Sequence, residues 1–516
     1  MTRQTLVEVD LDDRVGRMLN RHAAVGLAVG IVRDGTVTRF CGHGLADLAT
    51  GRPVTEDTVF RVASISKTFT AIAVMQLVEQ GLVDLDAPAG NYLRAYPLVP
   101  RNRGWRPATL RHLLTHTAGI GEETSWRNLV QRDFGESFPP GRVPPLAEFY
   151  RGGLPVIAEP GTRFRYTDHG PTTVGQIVED VSGQPFAAYL RAHVFEPLGM
   201  TATDLLRTDR IRPRLATGYR LGSGGPEPVP DREWVTAGGG GVYSSFRDMG
   251  RYLAALLGGG ANQHGRLLRA ETLATMFQPQ FQPDPRIPGL GLAFFRVAVG
   301  GHAAVEHQGI LPGFDSQIVV APDDGIGVMG FSNGTRRGSL WLPTELGALL
   351  DDLIGVPHQV IRTDIPQRPE VWGELCGWYH LPGPLTDVRM RGFIGAGAEV
   401  YVRRGELRLR FLAPAPPLYR GFALHPDDAT DPFAFRLDFS PLGADTVPIV
   451  FSRDGDTTAL HLGFMPVSLH RQPASTNPRR WAVGAAAAAS AAMLARQMRT
   501  RAWVAAVASS GVFGPR

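Results

Sequence analysis

Apolar and polar positions divide the chain into a few blocks. Arg14, Met18 and His22 fall in a first helix with Val15 and Leu19, and Gly26–Val32 and Val37–Cys41 read as two strands around an Arg33-Asp34-Gly35 turn. From Thr68 to Gln80 only Thr68, Thr70, Gln76, Glu79 and Gln80 are polar. A helix apolar on most of its faces belongs inside a domain, and Gly81 suits the position just past its end. Val174, Ile177, Val178 and Val181 follow the i, i+3, i+4, i+7 spacing of an amphipathic helix that Gly183 closes, and another helix is predicted from Asp248 to Leu257.

Short β-rich runs return at Leu290–Val297, Ala303–His307, Ser316–Val320 and Ile326–Phe331, and Pro343–Ile354 reads as a helix with proline near its start. Strands at both ends and helices between them predict an α+β unit, one sheet shared by the two ends with a helical insertion. Pro357 to Pro369, with three prolines, reads as a linker. Beyond it Val400 and Val402, then Leu407, Leu409 and Phe411, alternate with polar neighbours, and Ile449–Phe451 and Leu460–Leu462 flank an Asp454-Gly455 hairpin signal. The expected organisation is a catalytic-sized unit over residues 8–355, a linker over 356–369, an all-β barrel or sandwich over 370–472 and a basic, Ala-rich tail over 473–516.

Composition narrows the functional classes. A chain of 516 residues that is 43% hydrophobic and 20% charged has enough apolar surface to fold, unlike a disordered one. Two cysteines, Cys41 and Cys376, exclude a disulfide framework and a Cys-rich zinc site, and both are expected to be inert packing residues. The net charge of +4 is carried by the tail, where seven arginines from Arg471 onward meet no acidic residue. The rest is net negative, so no nucleic-acid partner is expected. Met1–Val25 holds four acidic residues and no apolar signal core, and no stretch of about 18 uncharged apolar residues occurs. These features predict a cytoplasmic protein without a membrane span, with contact of the Arg479–Arg501 stretch to a membrane surface as the alternative.

The cationic residues carry the sharpest signal. Of 53 lysines and arginines, only Lys67 is a lysine. Arginine cannot lose its proton in a protein, whereas a buried lysine can be tuned toward neutrality. Lys67 ends Phe60-Arg61-Val62-Ala63-Ser64-Ile65-Ser66-Lys67, a Ser-x-x-Lys at the start of the buried helix. Three residues is almost one turn, so the Ser64 hydroxyl and the Lys67 amine share a face. A desolvated amine would activate the hydroxyl as a nucleophile, and the helix N-terminus would favour a developing oxyanion.

Further stretches follow in order: Thr109-Leu110-Arg111-His112-Leu113-Leu114-Thr115-His116-Thr117-Ala118-Gly119, Pro160-Gly161 through Tyr166, Pro197-Leu198-Gly199-Met200, and His307-Gln308-Gly309 with Leu311-Pro312-Gly313-Phe314. With the Ser-x-x-Lys, the chain resembles the serine β-lactamase and penicillin-binding-protein superfamily, most of all its class C branch with the related esterases and D-amino-acid peptidases. The resemblance implies a β-lactamase-like fold, an antiparallel sheet flanked by helices with a helical subdomain, in which an appended β-domain packs beside the site. It implies that Tyr166, in Tyr166-Thr167-Asp168, relays protons between Ser64 and Lys67. Asp168 stands where the family has Asn, and an ionised Asp only accepts hydrogen bonds. That substitution weakens recognition of β-lactam side chains and favours a cationic or hydroxyl-bearing group nearby, or simple pairing with Lys67. By the same resemblance His307-Gln308-Gly309 is the Lys/His-x-Gly element, and the Ile310 and Ser64 amides form the oxyanion hole. Glycine at 309 lets a substrate approach the strand edge. His307, in place of lysine, matches esterases and D-aminopeptidases of the family and is neutral or charged depending on its surroundings.

Three other signals compete. Gly330-Phe331-Ser332-Asn333-Gly334 matches a nucleophile elbow, with Asp352 and His358 as nominal partners, but antiparallel hairpins replace the parallel units that fold requires. His112 and His116 have zinc-helix spacing with Leu113 where the glutamate belongs, so no metal is expected. Gly238–Gly241 resembles a phosphate cradle but lacks the following Gly-Lys-Ser/Thr, and reads as a flexible loop edging the pocket. The expected function is a cofactor-free serine hydrolase acting on a small-molecule ester or amide. D,D-peptidase or D-aminopeptidase activity, β-lactam binding, and a non-catalytic ligand-binding module are the alternatives.

Overall fold

The computed structural model describes residues 9–121, 132–336, 341–357, 360–383, 391, 394–413, 416–440, 446–454 and 457–481. Strands β1 (Gly26–Arg33) and β2 (Thr36–Asp47) form a hairpin whose turn residues Asp34 and Gly35 take left-handed φ of 48° and 78°. On its other side β1 pairs with a strand from the far end of the unit. With β3 (Arg52–Pro53), β4 (Phe295–Val299), β5 (His302–Leu311), β6 (Phe314–Ala321) and β7 (Ile326–Ser332) they form a seven-stranded antiparallel sheet in the order β4-β5-β6-β7-β1-β2-β3. Ala28 stands opposite Phe331, so the two ends of the segment do share one sheet.

The unbroken apolar run of β1 has a structural cause. Leu27, Val29 and Ile31 face helices α1 (Leu11–Arg21) and α5 (Trp341–Ile354), while Ala28 and Val32 join the cluster on the opposite face. Both faces are covered, so no polar alternation is needed. Asp10 caps α1 by accepting from the amides of Asp12 and Asp13, which holds Leu11, Val15 and Met18 against the sheet. On the other face lie α2 (Ser66–Glu79), α3 (His169–Ser182) and α4 (Phe246–Leu257). Every residue of α2 from Ser66 to Leu77 is buried.

One expected strand is shorter than its apolar run. Residues 290–294 do not extend β4, because Ala293 takes a left-handed φ of 61°, which turns the chain out of the extended region. Leu290 instead bridges Phe281 and Phe295.

After Trp372 the chain is mainly β. Among the described residues nine strands between Gly377 and Gln472 form one antiparallel sheet, with Val467–Gln472 at its centre between Gly377–His380 and Thr457–Leu462. Its two outer strands, Phe422–Ala423 and His425–Pro426, are separated only by Leu424, so the sheet curls until its edges nearly meet and is barrel-like. The proline-rich segment before it is docked rather than free. Ile365 is buried and the Gln367 amide donates to the Leu424 carbonyl at 3.0 Å. Gly455, of the Asp454-Gly455 turn, lies outside the described residues, although the strands flanking it pair, Asp454 opposite Thr457. Residues 482–516, most of the expected tail, also lie outside them; at its start Asn477 is buried and donates to Glu399 at 3.1 Å. Among the described residues no helix is long and apolar enough to cross a membrane.

The barrel's core reaches the first unit. Phe164 and Leu290 belong to its buried cluster, and Tyr166, Phe281 and Phe295 pack against it. Arg286 pins the contact, binding Asp284 at 2.7 Å on its own loop, with Asp431 and the Phe451 carbonyl of the barrel each at 2.7 Å.

Candidate active site

The strand Val59–Arg61 pairs with Tyr243–Ser245, and the chain then turns sharply. Ala63 takes φ 49°, a left-handed conformation that costs a non-glycine residue about 1–2 kcal/mol. The Val62 amide donates to the Val242 carbonyl at 3.0 Å. Ser66 Oγ accepts from the Val242 amide at 2.9 Å and donates to the Ala63 carbonyl at 2.6 Å. These bonds hold a single 3₁₀ turn, Ala63–Ile65, so Ser64 precedes α2 by half a turn instead of lying within it.

Lys67 projects from the first turn of α2 with its side chain fully buried. Its ammonium donates to Ser64 Oγ at 2.9 Å, to the Gly239 carbonyl at 2.8 Å and to Asp168 Oδ1. The Tyr166 ring centroid lies 4.8 Å from Nζ. Burial alone would drive Lys67 toward neutrality, but the charge and hydrogen bond of Asp168, aided by Tyr166, outweigh it and raise the pKa above the usual lysine value. The expectation of a neutral amine is therefore corrected. Asp168, in place of an amide, supplies the counter-charge that keeps Lys67 an ammonium.

Gly239 is a site residue that sequence reasoning missed. Gly238–Gly241 is not a flexible loop. Residues Ala237–Gly240 form a helical turn packed on α3, with Gly238 and Gly239 buried. A Cβ on Gly239 would lie 2.9 Å from both Cβ and O of Asp168, so only glycine lets its carbonyl reach Lys67. Thr70 similarly donates to the Gly238 carbonyl at 2.7 Å. His116 was missed too. Its ring stacks on Tyr166 with centroids 4.4 Å apart, and its Nδ1 accepts from the Thr167 amide at 3.2 Å. The only signal was its place in Thr115-His116-Thr117.

Strand β5 forms the opposite wall. β4 pairs with it only from His302 to Glu306, so the edge of residues 307–311 on that side is open. Ile310 is exposed there. Gly309 has a different reason from the one expected. A Cβ would lie 2.3 Å from both the Val62 carbonyl and Ser316 Oγ, so glycine admits the turn bearing Ser64 rather than a substrate. His307 is buried, and its Nδ1 donates to the Gln308 carbonyl at 2.7 Å, leaving Nε2 as a shielded acceptor without a partner. Burial, reinforced by the Lys67 charge, pushes its pKa down to about 3. The imidazole is thus neutral near pH 7. Gln308 is half-buried beside it.

The competing signals resolve as structural. Ser332 is buried within β7 beside Asn333, and its Oγ contacts the Gly334 carbonyl at 3.3 Å. Asp352 pairs with Arg14 at 3.2 Å, and His358 lies outside the described residues. His112 completes a capping box with Thr109. Among the described residues no group of His, Cys, Asp or Glu is placed to hold a metal ion. Burial raises the thiol pKa of Cys41 to about 12 and that of Cys376 above its usual value.

The family model for β-lactamase matches residues 11–343. The chain belongs to the β-lactamase family. That family comprises serine hydrolases, and its relatives here carry several activities. Esterase EstB of Burkholderia gladioli is 30% identical over 349 residues, covering 58% of this chain and 83% of its own length. Penicillin-binding protein 4 of Amycolatopsis lactamdurans is 29% identical over 392 residues, covering 72% and 97%. Among solved structures, the octameric penicillin-binding protein homologue of Pyrococcus abyssi superposes with TM-score 0.58 at 23% identity, covering 90% of this chain and all of that one. The last likeness extends the shared fold into the C-terminal barrel.

Proposed function

We propose that this β-lactamase-family chain is an esterase-type serine hydrolase working through an acyl-enzyme. The observation that carries the reading is the 2.9 Å hydrogen bond from the buried Lys67 ammonium to Ser64 Oγ, at a strained turn facing an open strand edge. The reactive form in this proposal has Tyr166 as the phenolate beside the Lys67 ammonium; Ser64 Oγ bonds to the ester carbonyl carbon as its hydroxyl proton passes to that phenolate oxygen. The Ser64 and Ile310 amides receive the oxyanion. The C–O bond then breaks, the alcohol leaves with the proton from Tyr166, and water releases the acid by the reverse path. Lys67, held charged by Asp168, acts as a fixed positive charge beside the reacting oxygen rather than as the base.

The electrostatics favour an ester with an uncharged acyl group. The two cations that a substrate carboxylate would seek are spent: Lys67 is ion-paired and His307 is neutral. A D,D-peptidase or β-lactam substrate carries that carboxylate, so those activities rank second. We place the chemistry in the first unit, with the open backbone edge from Gln308 to Ile310 along the substrate and Gly309 seating the Ser64 turn against it.

A fluorophosphonate probe tests the reading. Labelling of the wild-type chain, lost in Ser64→Ala and kept in Ser332→Ala, is the expected result, together with turnover of short p-nitrophenyl esters. Labelling that survives Ser64→Ala overturns it, and no labelling of any form favours a binding module.

A further inference from the structure

Apart from the Ser64 site, Arg61 and Tyr243 of the paired strands Val59–Arg61 and Tyr243–Ser245 line a cavity of about 360 Å³, large enough for a small metabolite. None of Ser64, Lys67, Tyr166, Asp168 or His307 lines it. Its wall instead includes Arg61, three residues before Ser64, and Pro312 and Phe314 at the turn after β5. Four arginines line it against two aspartates, an excess of positive charge in a partly enclosed space.

Three of its polar atoms are buried without a hydrogen-bond partner among the described residues. Arg61 is 7% exposed and spends one donor on the Arg232 carbonyl, while its Nε finds no acceptor. Its guanidinium sits 4.9 Å over the ring of Tyr243, whose hydroxyl is also buried and unpartnered. The Glu233 carboxylate acts on the Arg61 charge without forming an ion pair, and a buried cation with no ion pair among the described residues is expensive unless an anion completes it. Among the described residues Arg52 likewise has only the carbonyls of Arg214 and Leu215 as partners. Asp231 pairs with Arg207, Arg212 pairs with Asp209 at 3.2 Å, and Asp47 is occupied by Thr217 and the Thr50 amide, which leaves Arg52 and Arg61 without an ion pair among the described residues. Arg207 keeps a buried, unpartnered Nε as well.

We propose that this cavity binds a compact dianion, a small dicarboxylic acid or a phosphate, held by Arg61, Arg52 and Arg207 with the Tyr243 hydroxyl donating to it. The forked donors of arginine match either anion in bidentate fashion.

Titration calorimetry of the full chain with succinate, inorganic phosphate and uncharged succinamide tests the site. Saturable binding of succinate or phosphate, but not succinamide, is expected, and the tighter of the two identifies the ligand class. Arg207→Gln and Tyr243→Phe should each weaken it about fivefold or more, the worth of a charge-assisted hydrogen bond. Asp231→Asn should tighten it, because it frees Arg207 and removes a negative charge, an outcome that structural damage does not produce. Equal affinity in the wild type, Arg207→Gln and Asp231→Asn, or no saturable binding of either anion, overturns the proposal. Ester hydrolysis at Ser64 is measured separately, so failure here leaves the hydrolase reading standing.

Discussion

Lys67 and Asp168, 101 positions apart in the chain, meet in a buried ion pair beside the Ser64 hydroxyl. The pair determines which protonation state the site rests in. A lone buried lysine loses its proton readily, whereas one facing a carboxylate keeps it. That relationship, and the neutrality of His307, separate this site from one built around a free amine and a fixed cation.

Asp168→Asn should reverse the electrostatics. Burial of Lys67 then acts with less opposition and its pKa falls. The acid limb of the pH–rate profile for ester hydrolysis should move to lower pH if the amine begins to serve as base. The new amide also supplies a donor, so acylation by a penicillin, read by intact-protein mass spectrometry, should rise from background. An unmoved profile would show that Asp168 does not control the protonation of Lys67.

Breaking the pair should also destabilise the fold. A buried charge left without its partner costs about 3–5 kcal/mol. Lys67→Met and Asp168→Asn should each lower the denaturant midpoint, and the double variant should lose less than the sum. Since Lys67 has a raised pKa when folded, its contribution is complete below the unfolded lysine value and disappears only as pH climbs through the higher folded one. Stability lost to Lys67→Met should be constant across neutral pH, whereas the loss in Asp168→Asn should grow as pH falls, because the unfolded chain then binds the proton that the buried amine resists.

His307 has the opposite sign. Its folded pKa of about 3 lies below the usual histidine value of about 6.5, so the unfolded chain binds the extra proton first. Wild-type stability should fall with acidification between those values, with a share of up to about 1.4 kcal/mol per pH unit from this residue. His307→Gln should flatten that share in denaturation curves taken at several pH values. Parallel curves for the two proteins would show that His307 is not buried in the neutral form.

Gly309→Ala should damage both structure and activity. The added methyl would lie 2.3 Å from the Val62 carbonyl, so β5 must move off the Ser64 turn. Overpacking of this kind costs about 1–3 kcal/mol. A fall in kcat larger than the change in KM is expected, since the displaced Ile310 amide would serve the transition state more than the bound ester.

Arg286→Ala should loosen the barrel from the first unit. The side chain loses Asp431 and the Phe451 carbonyl together, and Tyr166 packs against the barrel's core. Limited proteolysis should reveal cleavage near residues 357–369, with ester hydrolysis reduced in parallel. Unchanged proteolysis would assign the docking to the apolar contacts of Phe164 and Leu290 alone.

Much of this architecture was legible along the chain, because local pattern reflects local burial. The apolar run of α2, the hairpin of β1 and β2, the end of α3 at Gly183 and the alternating strands of the barrel all follow from periodicity and turn residues. The nucleophile candidate was legible for a chemical reason: a single lysine stood one turn from a serine at the head of that helix. Charge state was not legible, since it depends on what comes close in space. Asp168 reaches Lys67 from the start of α3, the Gly239 carbonyl arrives from a turn 172 residues away, and His307 is neutral because burial and Lys67 make it so. The purpose of Gly309 was equally hidden, because the atoms that forbid a side chain belong to Val62 and Ser316. Sequence alone determined the elements and the candidate pair of Ser64 and Lys67, through short-range sterics and hydrophobic period. Tertiary structure decided which groups carry protons, because Coulomb and desolvation energies are set by distances of a few ångströms between residues far apart in the chain.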